Sequence, residues 1–308
     1  MKKNLISVQS GDWYDEGNDD ASMARLAACG FEAIDFNLDH IFNPAEYVKG
    51  KEFPFCDKSY EELEEYYAPL KAAAKKHGIA FSQTHAPFPI YYEGKDKENE
   101  YIFEVIQKTI AINSFIGCPA TVIHPYVCRN EDRAREVNMD IYTRLIPTAK
   151  KYGVKICLEN LFYCINGSVV AGTCADAEDA CRYIDELNAI AGEDIFGFCF
   201  DVGHANLVGK NLGNYIRKLK DRLTILHIHD NDGVYDCHLM PYTQTIGWGE
   251  NLATDWDGFL QGLRDIGYTG TLSFETFKAT RRFPAELTDD VLKLISAIGR
   301  YMRTKISE

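Results

Sequence analysis

The chain has 308 residues, 46% of them hydrophobic, and a formal net charge of −13. A chain of this length can bury a large core, and no apolar run approaches the ~18 residues that a membrane-spanning helix needs. The negative charge weighs against a nucleic-acid partner, because phosphate binding needs a basic surface, and the apolar part of MKKNLISVQSGDWYDEG is too short for a signal peptide.

One cadence repeats along the chain: an amphipathic helix, a glycine, then a short apolar strand that ends in a polar residue. It reads AACGFEAIDFN (27–37), KKHGIAFSQTH (75–85), SFIGCPATVIH (114–124), KKYGVKICLEN (150–160) and RDIGYTGTLSFE (264–275). Glycine just past a helix end supplies the left-handed cap. The strands expected from this pattern are Leu5–Gln9, Glu32–Asn37, Ile79–His85, Ala120–His124, Val154–Glu159, Phe196–Asp201, Leu223–His229 and Thr271–Glu275. A helix starts after Ser59, which heads a capping-box pattern with Glu62. Further helices are expected at about 98–116, 131–152, after Asp176, and at about 211–220, 255–266 and 285–304, with 161–173 a loop. Short apolar strands with little strict alternation suit a parallel sheet covered by helices. Eight βα units without a composition break predict an α/β fold, a single-domain (β/α)8 TIM barrel over residues 1–308. The competing open, doubly wound sheet lacks a GxGxxG after the first strand.

In a barrel the strand ends gather on one face, where active sites sit. Here those ends carry Gln9, Asp35 with Asn37, His85, His124, Glu159, Asp201 with His204, His229 and Glu275. Glu159 follows VKICL and Glu275 follows TLSF, so both emerge from the core, where a carboxylate is costly unless paired or metal-bound. Paired carboxylates across a barrel mouth are what acid/base chemistry at carbon requires. The densest stretch is 223–238, LTILHIHDNDGVYDCH. Alternation puts Ile225, His227 and His229 on one face of its strand, and three histidines and three aspartates fall within residues 227–238. Imidazole and carboxylate together suit zinc, manganese or another divalent metal. Ten cysteines without a CxxC pair read as small buried hydrophobes in a reducing compartment, and the chain is read as cytoplasmic.

THAPF, VIHP, LEN, FDVGHAN, HIHDNDG with DCH, and SFET together resemble the xylose isomerase-like barrel superfamily over the whole chain. That group holds sugar and sugar-phosphate isomerases and epimerases, inosose dehydratases and the endonuclease IV family. The resemblance to the ketose epimerases implies one metal held by Glu159, Asp201, His229 and Glu275, with Glu159 and Glu275 also the catalytic proton-transfer pair. The resemblance to endonuclease IV implies further metal ligands at His85, His124, His204, Asp236 and His238. One to three ions of Zn, Mn, Mg or Co are thus expected. Ile165 and Tyr235 stand where the epimerases carry a further glutamate and an arginine, a departure from the pattern of the free-ketose 3-epimerases. His204, Trp13, Phe88 and Trp248 are the candidate substrate-binding residues. The function expected is a metal-dependent isomerase or epimerase of a small sugar, sugar phosphate or cyclitol, working as a homodimer or homotetramer. A multi-zinc phosphodiesterase of the endonuclease IV type and an inosose-type dehydratase are the alternatives that the same ligands would serve. A non-enzymatic binding barrel would hold no metal and would tolerate substitution at both glutamates.

Overall fold

The helices stop where glycine lets them stop. Tyr60–His77, Asp96–Ile116, Glu131–Tyr152 and Ala177–Ala191 each end at a glycine in the left-handed region, at Gly78, Gly117, Gly153 and Gly192. The chain then turns back onto the helix it has left and enters the next strand. At the other end of the first of these helices, Ser59 accepts from the Glu62 amide (3.2 Å) while the Glu62 carboxylate accepts from the Ser59 amide (2.7 Å), the reciprocal cap expected from the sequence.

The computed structural model describes residues 4–246 and 251–308. Its barrel strands are β1 (Ile6–Gln9), β2 (Ala33–Asn37), β3 (Ala80–His85), β4 (Ala120–Val122), β5 (Lys155–Glu159), β6 (Phe196–Asp201), β7 (Leu223–His227) and β8 (Leu272–Phe274). They pair in parallel in the order β8-β1-β2-β3-β4-β5-β6-β7. The ring closes just beyond β7, where the Ile228 amide donates to Ser273 O (2.9 Å) and the Glu275 amide donates to Ile228 O (3.1 Å). The protein is a single-domain TIM barrel, as the repeated cadence predicts. No helix among the described residues is long and apolar enough to cross a membrane.

Alternation splits each strand between two environments. The outward residues Ile34, Phe36, Ile156, Leu158, Phe198, Phe200, Leu226 and Phe274 belong to the main core under the helices. The inward apolar cluster is small: Ala120, Val122, Cys157, Cys199 and Ile225. The rest of the buried interior is polar, including Ser7, Gln9, Asp35, Gln83, His227 and Ser273. TIM barrels usually fill this space with bulky branched side chains.

Two segments differ from expectation. Residues 161–173 are not a plain loop: Phe162–Ile165 and Ser168–Ala171 form an antiparallel hairpin. Its turn is Asn166-Gly167, both at positive φ, the geometry that matches the twist of a two-residue hairpin. A six-residue helix, Val202–Leu207, follows β6 directly, capped by the Asp201 side chain on the His204 amide (2.6 Å). It is too short for a hydrophobic period to announce it.

Candidate active site

Each strand brings its last inward side chain to the same rim. Glu159 ends β5, Asp201 ends β6, His229 lies two residues past β7, and Glu275 follows β8. All four are buried, with Asp201 and His229 fully inaccessible. Loops add His85, His124, His204, Asp236 and His238 around them. Within this crowd, sets of potential ligand atoms within 4.8 Å of one another are His85, His124 and Glu159; Asp201, His204 and His229; His229, Asp236 and His238; and Asp201, His227 and Glu275. A fifth set is Glu159, Cys199 and His227, so the four residues expected to share one ion are spread over adjoining sets, with Glu159, Asp201 and His229 each common to two of them and His227 the imidazole grouped with Glu159 and with Glu275.

The imidazoles are held in one tautomer. A carbonyl oxygen only accepts, so a ring nitrogen beside one must carry the proton. His85 Nδ1 donates to Ala86 O (2.8 Å), His204 Nδ1 to Asn160 O (2.9 Å), and His238 Nδ1 to Glu275 O (3.1 Å). In the neutral His85 and His238 rings the Nε2 lone pair is left free; burial opposes protonation of His204, but Asp201 and Glu159 outweigh it and raise that ring to about 10. His85 Nε2 lies 3.0 Å from His124 Nε2, which is 3.2 Å from Glu159 Oε2. His238 Nε2 lies 2.7 Å from Asp236 Oδ2 and His229 Nε2 lies 3.1 Å from Asp201 Oδ2. Bare lone pairs at these separations repel unless a proton or a cation sits among them. Rings oriented by a backbone carbonyl, with the other nitrogen presented to carboxylates, fit a divalent metal.

Charge separates the groups further. Burial pushes the Glu275 carboxyl up to about 8, helped by the negative charges of Asp201 and Glu159. Burial acts the same way on Glu159, but His227 and His124 outweigh it and hold that carboxyl well below its usual range. Burial and His124 keep His85 neutral, and burial and His229 push His238 down to about 4. Burial opposes protonation of His229, but Asp201 outweighs it and raises the ring to about 8.

A cavity of about 1000 Å³ opens above this floor. His85, His124, Glu159, His204, His238 and Glu275 form its polar side, and Asp236 lines it as well. Phe88 lines the cavity beside the polar side, 41% exposed, its ring 4.4 Å from that of His124. Trp13 lies behind the wall: it is 4% exposed and its indole N–H donates to Gln9 O (2.6 Å). Trp248 falls outside the described residues. Phe162, from the unexpected hairpin, and Phe277 also reach the cavity.

Two working parts, Asn160 and Gly203, were not singled out from sequence, and two of the aspartates that were, Asp230 and Asp232, serve the backbone instead. Asn160 clamps Asp201 in place, donating to its carbonyl and accepting from its amide, both at 2.8 Å. Gly203 is required by contact: a Cβ there would stand 1.9 Å from His229 Cε1. Asp230 faces away from the floor, holding the amides of Thr243 (3.0 Å) and Gln244 (3.1 Å) and the Thr254 hydroxyl (2.7 Å), which organises the long loop after β7. Asp232 caps a turn through the amides of Val234 (2.9 Å) and Tyr235 (2.8 Å). Of the aspartates at 230, 232 and 236, only Asp236 lines the cavity. Arg281 lines the cavity rim paired with Asp12.

Residues 23–298 match the family model described as xylose isomerase-like TIM barrel. The inosose isomerase of Halalkalibacterium halodurans is 22% identical over 264 residues, covering 82% of this chain and 88% of that protein. The 3-keto-D-glucoside 4-epimerase of E. coli superposes with a TM-score of 0.69 at 18% identity, covering 96% of this chain and 100% of the other. A structure of the IolI protein with a bound zinc atom superposes with a TM-score of 0.65 at 19% identity, covering 98% and 97%.

Proposed function

This chain belongs to the xylose isomerase-like TIM barrel family, and from that premise we propose that it is a metal-dependent isomerase or epimerase of a neutral carbonyl sugar or cyclitol. The observation that carries the reading is the convergence of two buried glutamates, Glu159 and Glu275, on one floor with oriented imidazoles, under a cavity large enough for a sugar. The names of the relatives, an inosose isomerase and a keto-glucoside epimerase, support the same substrate chemistry.

Glu159, Asp201 and Glu275 would hold the metal with His227, whose Nδ1 lies 3.3, 3.9 and 3.6 Å from their oxygens, rather than with His229; His85, His124, His204, His229, Asp236 and His238 are placed to hold a second or third ion. When bound, the ion would polarise a carbonyl and its neighbouring hydroxyl as a Lewis acid. The chain's own residues do the rest. Glu159 takes the proton from the carbon beside the carbonyl. Glu275, whose burial favours its protonated form, returns a proton to the neighbouring position or the opposite face. Asn160 keeps Asp201 still, His204 faces a hydroxyl or an ion, and Phe88 and Phe162 give the cavity apolar walls.

The phosphodiesterase alternative would use the same ligands, but the cavity is lined by Asp12, Glu16, Asp39 and Glu93, while Arg281 is already paired to Asp12. That wall repels a phosphodiester backbone. Deuterium uptake from heavy water at the carbon beside the carbonyl of ketoses and inososes tests the reading. Exchange that requires added Mn²⁺, Co²⁺ or Zn²⁺ supports it. Metal-loaded protein that exchanges no proton on any such substrate would refute it.

A further inference from the structure

The cavity is larger than the reaction at its floor requires. At about 1000 Å³ it stands at the top of the range that holds ligands of drug size, roughly 300–1,000 Å³, and one sugar ring fills only a fraction of it. Its aromatic lining changes from floor to mouth. Phe88 and Phe162 stand against the imidazoles: between ring centroids, Phe88 lies 4.4 Å from His124 and 5.2 Å from His85, and Phe162 lies 5.0 Å from His204. Tyr91 and Tyr126 line the cavity as well, but their partners lie at the surface. Their rings meet edge to face at 5.2 Å. Both hydroxyls turn to the half-exposed Glu93 carboxylate, at 3.5 Å from Tyr91 and 3.4 Å from Tyr126.

That outer wall is fixed from behind. The Arg133 guanidinium donates to both Glu93 oxygens (2.9 and 3.2 Å) and to the Tyr91 hydroxyl (2.9 Å), and its remaining nitrogen donates to Glu136 (2.8 Å). Asn138 clamps the Tyr126 backbone, accepting from its amide (2.7 Å) and donating to its carbonyl (2.9 Å). The Thr173 hydroxyl, just past the hairpin, donates to the same carbonyl (2.9 Å). The loops after β3, β4 and β5 are thus joined to one helix, Glu131–Tyr152. Exposed ion pairs of this kind add little to stability, and none of these bonds reaches a metal-type ligand. What they do is hold two aromatic faces still beside open space, so that a ligand there is bound at little cost in ordering.

The chemistry of the wall names its occupant. An aromatic face takes the apolar C–H face of a sugar ring, while phenol hydroxyls and a carboxylate at its edge match sugar hydroxyls. Glu16, Asp39 and Glu93 all line the cavity, which disfavours a phosphate or carboxylate on the ligand. We propose that Tyr91 and Tyr126 form an outer subsite for a second, uncharged sugar ring, so that the carbonyl sugar on the floor arrives in glycosidic linkage, as part of a disaccharide-sized molecule. That this molecule is a substrate rests on the isomerase or epimerase reading above; the subsite itself does not.

The test titrates the full chain, supplied with Mn²⁺, with fructose and with the glucosyl-fructose disaccharides turanose, maltulose, leucrose and isomaltulose, which carry the second ring on different hydroxyls. Kd is read by ligand-observed NMR, and the same sugars are followed for deuterium uptake. At least one disaccharide is expected to bind about tenfold tighter than fructose. Tyr91→Ala and Tyr126→Ala are each expected to cut that ratio of Kd values about five- to tenfold, whereas Tyr91→Phe, which keeps the ring, holds it within about twofold. A ratio is read because a variant that merely disturbs the wall weakens both sugars alike. If an alanine variant fails to fold, leucine at the same position removes the aromatic face and keeps the bulk, and the same loss is expected. No disaccharide binding tighter than fructose would overturn the proposal, and so would a gain that survives in both variants. A gain shown by p-nitrophenyl glucoside and by no disaccharide would make the wall a site for an aryl group and overturn the assignment of a sugar. The two readings fail separately. A disaccharide gain lost in the variants, with no deuterium uptake from any sugar, would leave the subsite standing and count against the isomerase or epimerase reading. Uptake from fructose without any disaccharide gain would sink the subsite alone.

Discussion

The two faces of the barrel strands differ more than a one-residue step suggests. On β6 the outward side chains Phe198 and Phe200 join the main core, while the inward ones, Cys199 and Asp201, face a narrow interior with few apolar atoms. The same holds on β7, where Leu226 and Ile228 pack under helices while Ile225, His227 and His229 climb the inside toward the floor. The outer face has the apolar area that keeps the barrel folded. The inner face gives up that area for hydrogen bonds and charge, which stabilise little in sum but hold groups at defined positions. Stability and chemistry are therefore separable here by parity along a strand.

The separation can be broken from either side. Replacing Glu159 or Glu275 by Gln should lower deuterium uptake on the order of 10³-fold, with Tm little changed for Glu275→Gln because burial already favours the uncharged form of that side chain. Phe198→Ala should do the reverse: it removes a fully buried ring of the outer core, at a cost of about 3–5 kcal/mol. Calorimetry should show a lower Tm, while turnover per folded molecule stays at the wild-type level. Gly203→Ala crosses between the two classes, since its Cβ would displace the His229 ring. Turnover should fall on the order of 10²-fold together with metal content by elemental analysis, and folding should cost about 1–3 kcal/mol. The smallest effect belongs to Gly167→Ala. That residue sits at φ 80° with nothing within 4 Å of a new Cβ, so only the left-handed backbone is strained, by about 1–2 kcal/mol. Denaturant melts should register that cost, and activity should not change beyond twofold.

The barrel was legible because its signal repeats. Each helix–glycine–strand unit is local, and five copies of the pattern made the eighth strand as visible as the first. The carboxylates and imidazoles at the strand ends were legible as chemistry, since such groups are not placed beside a core without a use. Their detailed partners were not. Asp35 and His227 are 192 positions apart, and nothing local tells that an aspartate in AIDFN will meet a histidine in LTILHIH through the barrel interior. Asn160 was visible only as the residue after Glu159, because its partners are the backbone groups of Asp201. The hairpin at 162–171 did carry a signal: Asn-Gly between FYCI and SVVA is a strong hairpin pattern, and a loop was expected there because the barrel cadence assigned no strand to that interval. Trp13 turned inward because its indole N–H finds the Gln9 carbonyl beside the strand, which favours burial over a place in the cavity wall.

The most direct measurement is metal content per chain on protein purified without added metal or chelator, repeated on Asp201→Asn. The account predicts at least about one divalent ion per chain in the wild type, and a clear loss in the variant, because Asp201 is common to two of the clustered ligand sets. A wild-type site that is empty, and stays empty when Mn²⁺, Co²⁺ or Zn²⁺ is supplied, would contradict it, since the oriented imidazole lone pairs would then have no cation to serve.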